Sequence, residues 1–411
     1  MLKTLKFGGE TLRQADDFKK VAQIIIKEKS QLTVFSAMSG TYEMLDATMK
    51  DELEKIDYLM HKYRKVIDEL LVNNREAGYE TLRECFAVIR SSKNINRIFS
   101  QAEVLTSTIF ILYAREIGMN IELLYAADFV HKNADGEGSV DSLMLRNDTY
   151  YVTQGFVCSD SEDNVVRFGF GGSDYSAALL GAALNCSEVQ IWGVGKSMYT
   201  GDPAIVEGVK SIAQMSYSQA AELAYFGANI LHPSIILPCR AAKIDVVLKD
   251  FNDPESSGTR ITHVENEIDF LAASSKDNIS LIRITSDRML LAYGFLRKVL
   301  EVFERYETPV DMITTSEIAV SITIDDLHAI TEIESALKDF GVIEIEHSHS
   351  IVCVVGNMTY GSEGMASTFF DTANQTPIKM ISYGASQRSI SLLVESCHKN
   401  ELLQNINKLF V

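Results

Sequence analysis

The stretch from Val165 to Leu184, VVRFGFGGSDYSAALLGAAL, decides the fold of this chain. It begins with a short β-type run to Phe168, continues through a glycine-rich turn at residues 169–174, and enters an apolar helical pattern at Ala177. Strand, glycine-rich turn and helix in this order are typical of a parallel α/β sheet. The sequence therefore predicts an α/β domain with a glycine-rich loop at a helix N-terminus.

The same order of elements opens the chain. An apolar run from Leu2 to Phe7 is followed by Gly8 and Gly9, a helical pattern to about Lys29 and a second β-type run at Leu32–Phe35. Glycines let backbone N–H groups approach phosphate oxygens, and a helix N-terminus adds the positive end of a dipole. Two such loops in one domain favour a phosphate-handling protein.

Composition and charge exclude several classes of function. The chain has 411 residues, and at roughly 150 residues per domain this predicts two or three domains. Its formal charge of −18 argues against nucleic acid as a partner. The absence of a long apolar run disfavours secretion and membrane spanning. Six scattered cysteines are typical of a cytoplasmic protein with reduced thiols, and Cys and His spacing indicates no metal site.

An internal repeat organises the C-terminal third. PVDMIT at Pro309 recurs as PIKMIS at Pro377, 68 residues later, and each copy follows a strand, a glycine and a helical stretch. This predicts two βαββαβ modules of about 65 residues. We predict Ile244–Leu248 as the last strand of the first domain, a boundary at the polar stretch 273–278, and domains at 1–272 and 279–411.

One apparent nucleotide motif is rejected. Gly193-Val-Gly-Lys-Ser197 resembles the end of a Walker A motif, but Gln190 stands where that motif begins with glycine. A P-loop NTPase is therefore excluded. Lys196 is either a cation that reaches bound phosphates or a solvated surface lysine.

The order of the motifs resembles the aspartokinases, specifically the lysine-sensitive single-function type. The resemblance covers nearly the whole chain. Its motifs are Lys6-Phe-Gly-Gly9, Ser36-Ala-Met-Ser-Gly40, Gly171-Gly-Ser-Asp-Tyr-Ser-Ala-Ala178, Tyr199-Thr-Gly-Asp-Pro203, Phe226-Gly-Ala-Asn-Ile-Leu-His-Pro233, Val310-Asp-Met-Ile-Thr-Thr-Ser-Glu317 and Tyr383-Gly-Ala-Ser386.

This resemblance implies an amino-acid kinase fold (carbamate kinase-like, a three-layer α/β sandwich) followed by paired ACT domains. It implies transfer of the γ-phosphoryl group of ATP, with Mg2+, to the β-carboxylate of aspartate. It also implies feedback control by lysine and a homodimer or higher homo-oligomer. A carboxylate with a pKa near 4 is already ionised at pH 7, so the reaction needs no general base.

The resemblance also assigns residues to roles. The predicted catalytic residues are Lys6, on the transferring phosphoryl group, and Asp174. The predicted nucleotide-binding residues are Gly8, Gly9, Ser173, Tyr199 and Asp202, to which Lys196 is added because of its position in the altered loop after the Trp192 strand. The predicted substrate-binding residues are Ser36, Ser39, Glu103 and Phe170, with Glu103 for the substrate ammonium. The predicted lysine-binding residues are Met289, Gly294, Phe295, Asp311, Thr315, Ser316 and Glu317, with Asp311 for the lysine ammonium.

Several positions depart from the family pattern. Phe170 replaces an arginine that holds a substrate carboxylate, and Tyr42 replaces a threonine of the substrate loop. The departures on the nucleotide side are Gly193, Val194, Ala204 and Asn229, and Glu10 alters the first glycine loop. Three hypotheses therefore stay open: a working aspartokinase, a kinase for another amino acid or carboxylate, and a non-catalytic amino-acid-sensing homologue.

Overall fold

The computed structural model describes residues 2–48, 53–169, 171–227, 235–265, 268–286, 293–358 and 364–410. The chain divides into two compact units. The first comprises Met1–Met198, Ala213–Tyr217 and Ile230–Glu265, and the second Tyr199–Ile212, Ser218–Asn229 and Asn266–Val411. Among the described residues, no helix has both the length and the apolar character needed to cross a membrane.

The first unit contains most of the helices and strands. Its strands are β1 (Lys3–Phe7), β2 (Leu32–Phe35), β3 (Ile121–Leu124), β4 (Val130–Lys132), β5 (Gly138–Val140), β6 (Tyr150–Gln154), β7 (Val157–Ser159), β8 (Val165–Arg167), β9 (Glu188–Gly193), β10 (Gln214–Ser216), β11 (Asp245–Asp250) and β12 (Thr259–Thr262). Its helices are α1 (Ala15–Glu28), α2 (Thr41–Thr48), α3 (Leu53–Leu70), α4 (Arg75–Ser91), α5 (Ile95–Glu116), α6 (Gly172–Ala183) and α8 (Ile236–Ala242), with α7 (Tyr217–Tyr225) continuing into the second unit.

The main sheet has eight strands in the order β10-β12-β11-β9-β1-β2-β6-β3. Strand β1 lies in its interior and pairs in parallel with both β2 and β9. Leu5 and Phe7 on β1 are fully buried, as expected for a strand covered on both faces. The predicted α/β fold is confirmed. The prediction that Ile244–Leu248 is the last strand is wrong, because β12 follows β11 and pairs with it antiparallel.

A second, four-stranded sheet has the order β5-β4-β7-β8. The chain enters strand β7 of this sheet from a β-type run, YVTQGFV at residues 151–157, that begins in β6 of the main sheet. The structure breaks that run at Gly155 and at Phe156, which has a left-handed φ of 68°. The Phe156 N–H donates to Ser176 Oγ at 3.0 Å, and this contact holds the turn against α6. The chain thereby leaves the main sheet and forms the small one.

The second unit is built around a six-stranded antiparallel sheet. Its elements are β13 (Ala272–Thr285), α9 (Phe295–Arg305), β14 (Met312–Thr315), β15 (Ala319–Ile324), α10 (Ile330–Leu337), β16 (Val342–Val355), α11 (Met365–Thr372), β17 (Ile378–Tyr383), β18 (Ser389–Glu395) and α12 (Lys399–Ile406). The strand order is β14-β15-β13-β16-β18-β17.

The two predicted modules share their long strands. Residues 280–285 of β13 pair with β15 and complete the first module, whereas residues 272–276 pair with 351–355 of β16 and complete the second. A register shift between Lys276 and Ile279 separates the two halves. The polar stretch 273–278 therefore lies within a strand.

Candidate active site

Two loops at the carboxyl edge of the main sheet bring opposite charges together. Lys6 stands on β1 immediately before the first glycine loop, and Asp174 lies in the first turn of α6. Lys6 Nζ is 2.5 Å from Asp174 Oδ1, and the two side chains are only 9% and 10% exposed. Such a pair in low-dielectric surroundings interacts strongly and is well placed to handle another charged group.

Lys196 belongs to the same cluster. Its Nζ lies 3.9 Å from Asp174 Oδ2, and its side chain is 15% exposed, so it is not a solvated surface lysine. Burial lowers the pKa of Lys196; nearby Lys6 adds to this effect, while Asp174 and Glu10 oppose it.

The substituted loop after β9 is fitted to these side chains. A Cβ at Gly193 would lie 2.3 Å from Glu10 Oε1 and 2.7 Å from Lys196 Cδ. A side chain at this position would push the side chains of Glu10 and Lys196 aside. Gly193 and Glu10, two departures from the family pattern, therefore accommodate each other.

The first glycine loop packs closely against the loop after β2. A Cβ at Gly9 would lie 2.8 Å from the Ala37 carbonyl oxygen, so the close approach requires glycine. Across the same edge, Ser36 Oγ donates to Ser173 Oγ at 2.8 Å. The carbonyl of Ser39 accepts a hydrogen bond from the Lys62 ammonium. These contacts bring the predicted substrate loop beside α6.

Glu103 lies next to this cluster, on α5. It is fully buried, and burial raises its pKa to about 8, although the Tyr42 hydroxyl, the Ala37 N–H and Lys6 counteract the rise. The Tyr42 hydroxyl donates to Glu103 Oε1. Glu103 Oε2 has no hydrogen-bond partner among the described residues. This orphaned acceptor is suited to an incoming ammonium group.

A cavity of about 500 Å³ opens beside Ser173. It is lined by Tyr42, Asn96, Lys132, Phe156, Arg167, Phe168, Gly169, Gly171, Gly172 and Ser173. Two cations in this lining, Lys132 and Arg167, were not predicted from the sequence. The available signal was the position of Arg167, three residues before Phe170, where the family pattern has its arginine. Phe170 itself lies outside the described residues.

Two predicted nucleotide-binding residues lie in the second unit. Tyr199 forms an antiparallel bridge with Ser211, and Asp202 Oδ1 accepts the Ala204 N–H at 2.9 Å. Both contacts lie within the segment Tyr199–Ile212. The substituted position Asn229 lies outside the described residues.

The described residues among the predicted lysine-binding set lie at the start of α9 and in or next to strand β14. Gly294 caps α9 with a φ of 77° and Phe295 begins the helix. Thr315 ends β14, and Ser316 with Glu317 makes the turn to β15. Met289 lies outside the described residues.

Asp311, the predicted partner of the lysine ammonium, already contacts an ammonium of this chain. Lys276 Nζ lies 2.6 Å from Asp311 Oδ1 and 2.9 Å from Asp325 Oδ2. The Tyr225 hydroxyl donates to Asp311 Oδ1 at 3.2 Å. Burial lowers the pKa of Lys276, but its hydrogen bonds to the two aspartates outweigh burial and raise it overall. This contact was not predicted from the sequence.

Comparison with known proteins decides the family. Residues 1–250 match the model of the amino acid kinase family, more than half of the chain. The chain belongs to the amino acid kinase family. Residues 352–410 match the ACT domain model.

The relatives of this amino acid kinase are aspartokinases over its whole length, which confirms the resemblance predicted from the motifs. Lysine-sensitive aspartokinase 3 of Escherichia coli (strain K12) is 29% identical, covering 98% of this chain and 97% of the relative. The crystal structure of E. coli aspartokinase III with aspartate and ADP (R-state) has a TM-score of 0.84 and 27% identity, covering 100% and 99%. The structure of that protein with lysine and aspartate (T-state) has a TM-score of 0.82 and 27% identity, covering 99% of each chain.

Proposed function

We propose that this kinase transfers the γ-phosphoryl group of ATP to the β-carboxylate of aspartate, yielding aspartyl phosphate and ADP. The observation that carries the proposal is the buried cluster of Lys6, Asp174 and Lys196 beside Glu103. The aspartokinase relatives support the choice of acceptor. Retention of Lys6, Glu103 and Asp174 argues against the hypothesis of a non-catalytic homologue.

The first unit supplies groups that can bind the phosphates of a nucleoside triphosphate. Lys6 and Lys196 are two cations within one cluster, and α6, twelve residues long, directs its N-terminus at the same edge. Asp174 and Glu10 are the nearby carboxylates, a donor type that fits Mg2+ together with phosphate oxygens. Bound Mg2+ would neutralise charge on the phosphates.

The chemistry requires positioning and no proton transfer. A β-carboxylate oxygen attacks the γ-phosphorus, and the bond from phosphorus to the bridging oxygen of ADP breaks. Lys6 stabilises negative charge on the transferring group, and Glu103 holds the acceptor ammonium. Catalysis by such fixed charges is most effective where water is excluded, as it is around this cluster.

A hydroxamate assay tests the proposal. The purified chain is incubated with Mg-ATP, hydroxylamine and aspartate, and hydroxamate is measured beside glutamate and other amino acids. We expect hydroxamate with aspartate and its loss when ATP is omitted. Hydroxamate from another acceptor alone would instead support the kinase with a changed substrate, and none from any acceptor would contradict the proposal.

We also propose that lysine is the effector and binds at Asp311 in a homo-oligomer. The relative named as lysine-sensitive supports this proposal. The side chain of Asp311 is inaccessible to solvent, and one of its oxygens lacks a hydrogen-bond partner among the described residues. Because Lys276 already neutralises Asp311, free lysine must displace an internal ammonium to use this site.

Replacing Lys276 with methionine is therefore expected to strengthen lysine binding. The change leaves Asp311 and Asp325 without their shared cation, so the free ligand meets less competition. A charged hydrogen bond contributes about 1.5–3 kcal/mol, and we expect the dissociation constant to fall about tenfold or more. Calorimetry with lysine measures it.

Lys379→Met is the matched control, because Lys379 pairs with Glu346 at 2.8 Å and with Glu395, and not with Asp311. It is expected to bind lysine as the wild type does. Unchanged lysine affinity in Lys276→Met would refute competition by the internal ammonium.

A further inference from the structure

The cavity beside Ser173 contains two cations without a carboxylate partner. Among the described residues, no carboxylate lies within ion-pair distance of Arg167 or Lys132, although both line the cavity. Several other arginines of the first unit, such as Arg13 and Arg90, do form ion pairs. Partly buried cations that lack a carboxylate partner favour the binding of an anionic ligand.

Arg167 is held in place before any ligand arrives. Its guanidinium carbon lies 4.3 Å from the Phe99 ring centroid and 5.3 Å from that of Phe156. Its Nε donates to Asn96 Oδ1 at 2.9 Å, and the two terminal nitrogens have no acceptor in the part of the chain that the structure describes. The Arg167 carbonyl oxygen accepts a hydrogen bond from Lys132 Nζ at 3.1 Å, so this contact holds the Lys132 ammonium beside Arg167.

The positions of Arg167 and Lys132 follow from the order of strands in the four-stranded sheet. Arg167 ends β8 and Lys132 ends β4, and both strands flank β7. Burial lowers the pKa of Arg167, while Tyr42 and Asp46 oppose the shift. The guanidinium has thus lost part of its hydration, which strengthens its pairing with a carboxylate.

The cavity also adjoins the group predicted for the ammonium, through the side chain of Tyr42. Tyr42 lines the cavity, and its hydroxyl donates to Glu103. A ligand lying between Glu103 and Arg167 therefore needs a cation at one end and an anion at the other. An amino acid with free ammonium and carboxylate groups meets this requirement.

We infer that Arg167, assisted by Lys132, binds the acceptor carboxylate that is not phosphorylated. The guanidinium lost at Phe170 would then be replaced from three residues earlier in the chain. This inference rests on the proposed function for the identity of the acceptor. It makes Arg167 a specificity-determining residue.

Steady-state kinetics of Arg167→Ala test the inference. We expect KM for aspartate to rise about thirtyfold or more, because a charged pair is lost, while KM for ATP stays within about twofold. Arg167→Lys should recover part of the affinity and Arg83→Ala, a surface control, should match the wild type. The double variant Arg167→Ala/Phe170→Arg should bind aspartate more tightly than Arg167→Ala.

Calorimetric binding of aspartate separates the inference from the proposed function. If the wild type binds aspartate but forms no hydroxamate, the proposed reaction fails while loss of binding in Arg167→Ala still supports the inference. If the wild type binds no aspartate, or if Arg167→Ala changes aspartate affinity less than threefold, the inference is overturned. Unfolding temperatures within a few degrees verify that the variants fold.

Discussion

Replacing Lys6 with methionine is expected to lower kcat for aspartate phosphorylation about a thousandfold. Lys6 is the cation at the end of β1, and its ammonium lies against the buried carboxylate of Asp174. Removing one preorganised group that stabilises charge in the transition state typically costs a factor of 10²–10³. Methionine retains the length of the side chain, so the loss reports charge and not packing.

The same substitution should also weaken the fold. Asp174 would keep Lys196, whose Nζ is 3.9 Å away, as a more distant countercharge. Breaking one side of a buried pair commonly costs about 3–5 kcal/mol because a charge is left uncompensated. The double variant Lys6→Met/Asp174→Asn removes that charge and should recover stability without recovering activity.

Lys19→Met is the control, since Lys19 is an exposed residue of α1 paired with Asp16. We expect it to retain wild-type kcat. Kinetics together with urea unfolding of the four proteins distinguish a catalytic loss from unfolding. Activity in the stable double variant close to that of the wild type would contradict the role of Lys6.

Local sequence patterns were sufficient to predict the parallel core of the main sheet, but not the whole first unit. Glycine loops after β1 and before α6, and β-type runs between helical stretches, specify a parallel sheet because each signal is local. The break at Phe156 was not foreseen, since a bulky residue with φ of 68° depends on the contact of its N–H with Ser176. The sharing of β13 between both modules is a pairing of distant segments and has no local signature.

In the candidate site, too, residues in local motifs were predicted and residues defined by distant contacts were not. Lys6 and Asp174 follow from motifs, and the structure brings them to 2.5 Å. Arg167 and Lys276 were missed because their significance depends on neighbours far away in sequence: Arg167 packs against Phe99, and Lys276 against Asp311. A list of substituted family positions identifies a missing charge but does not show which residue replaces it.

Replacing Glu103 with glutamine is expected to stabilise the protein at alkaline pH and to impair aspartate binding. Burial raises the pKa of Glu103 from 4.5 to about 8. Between these values the folded chain holds a proton that the unfolded chain releases, so Glu103 makes the free energy of unfolding fall as pH rises. Glutamine cannot ionise, and relative to the wild type the variant should gain up to roughly 5 kcal/mol above pH 8.

Aspartate binding should change with pH in the direction opposite to stability. The acceptor ammonium pairs with the ionised form of Glu103, so the wild-type KM for aspartate should fall as pH rises from 6 to 8.5. In Glu103→Gln the charge is absent, and KM should be about a hundredfold higher at pH 8.5 and insensitive to pH over this range. Urea unfolding and steady-state kinetics across the range measure both effects.

Tyr42→Phe provides the matched test of the cause. The Tyr42 hydroxyl donates to Glu103 Oε1 and lowers the pKa of that carboxyl against the effect of burial. Without this donor the pKa of Glu103 should rise further, and the fall of KM with pH should move to higher pH. Two results would show that another group titrates: a pH profile of KM that Tyr42→Phe leaves unchanged, or a pH-dependent KM that persists in Glu103→Gln. If Glu103 is the titrating group, its ionisation alone accounts both for the higher stability of Glu103→Gln at alkaline pH and for the weaker aspartate binding of that variant.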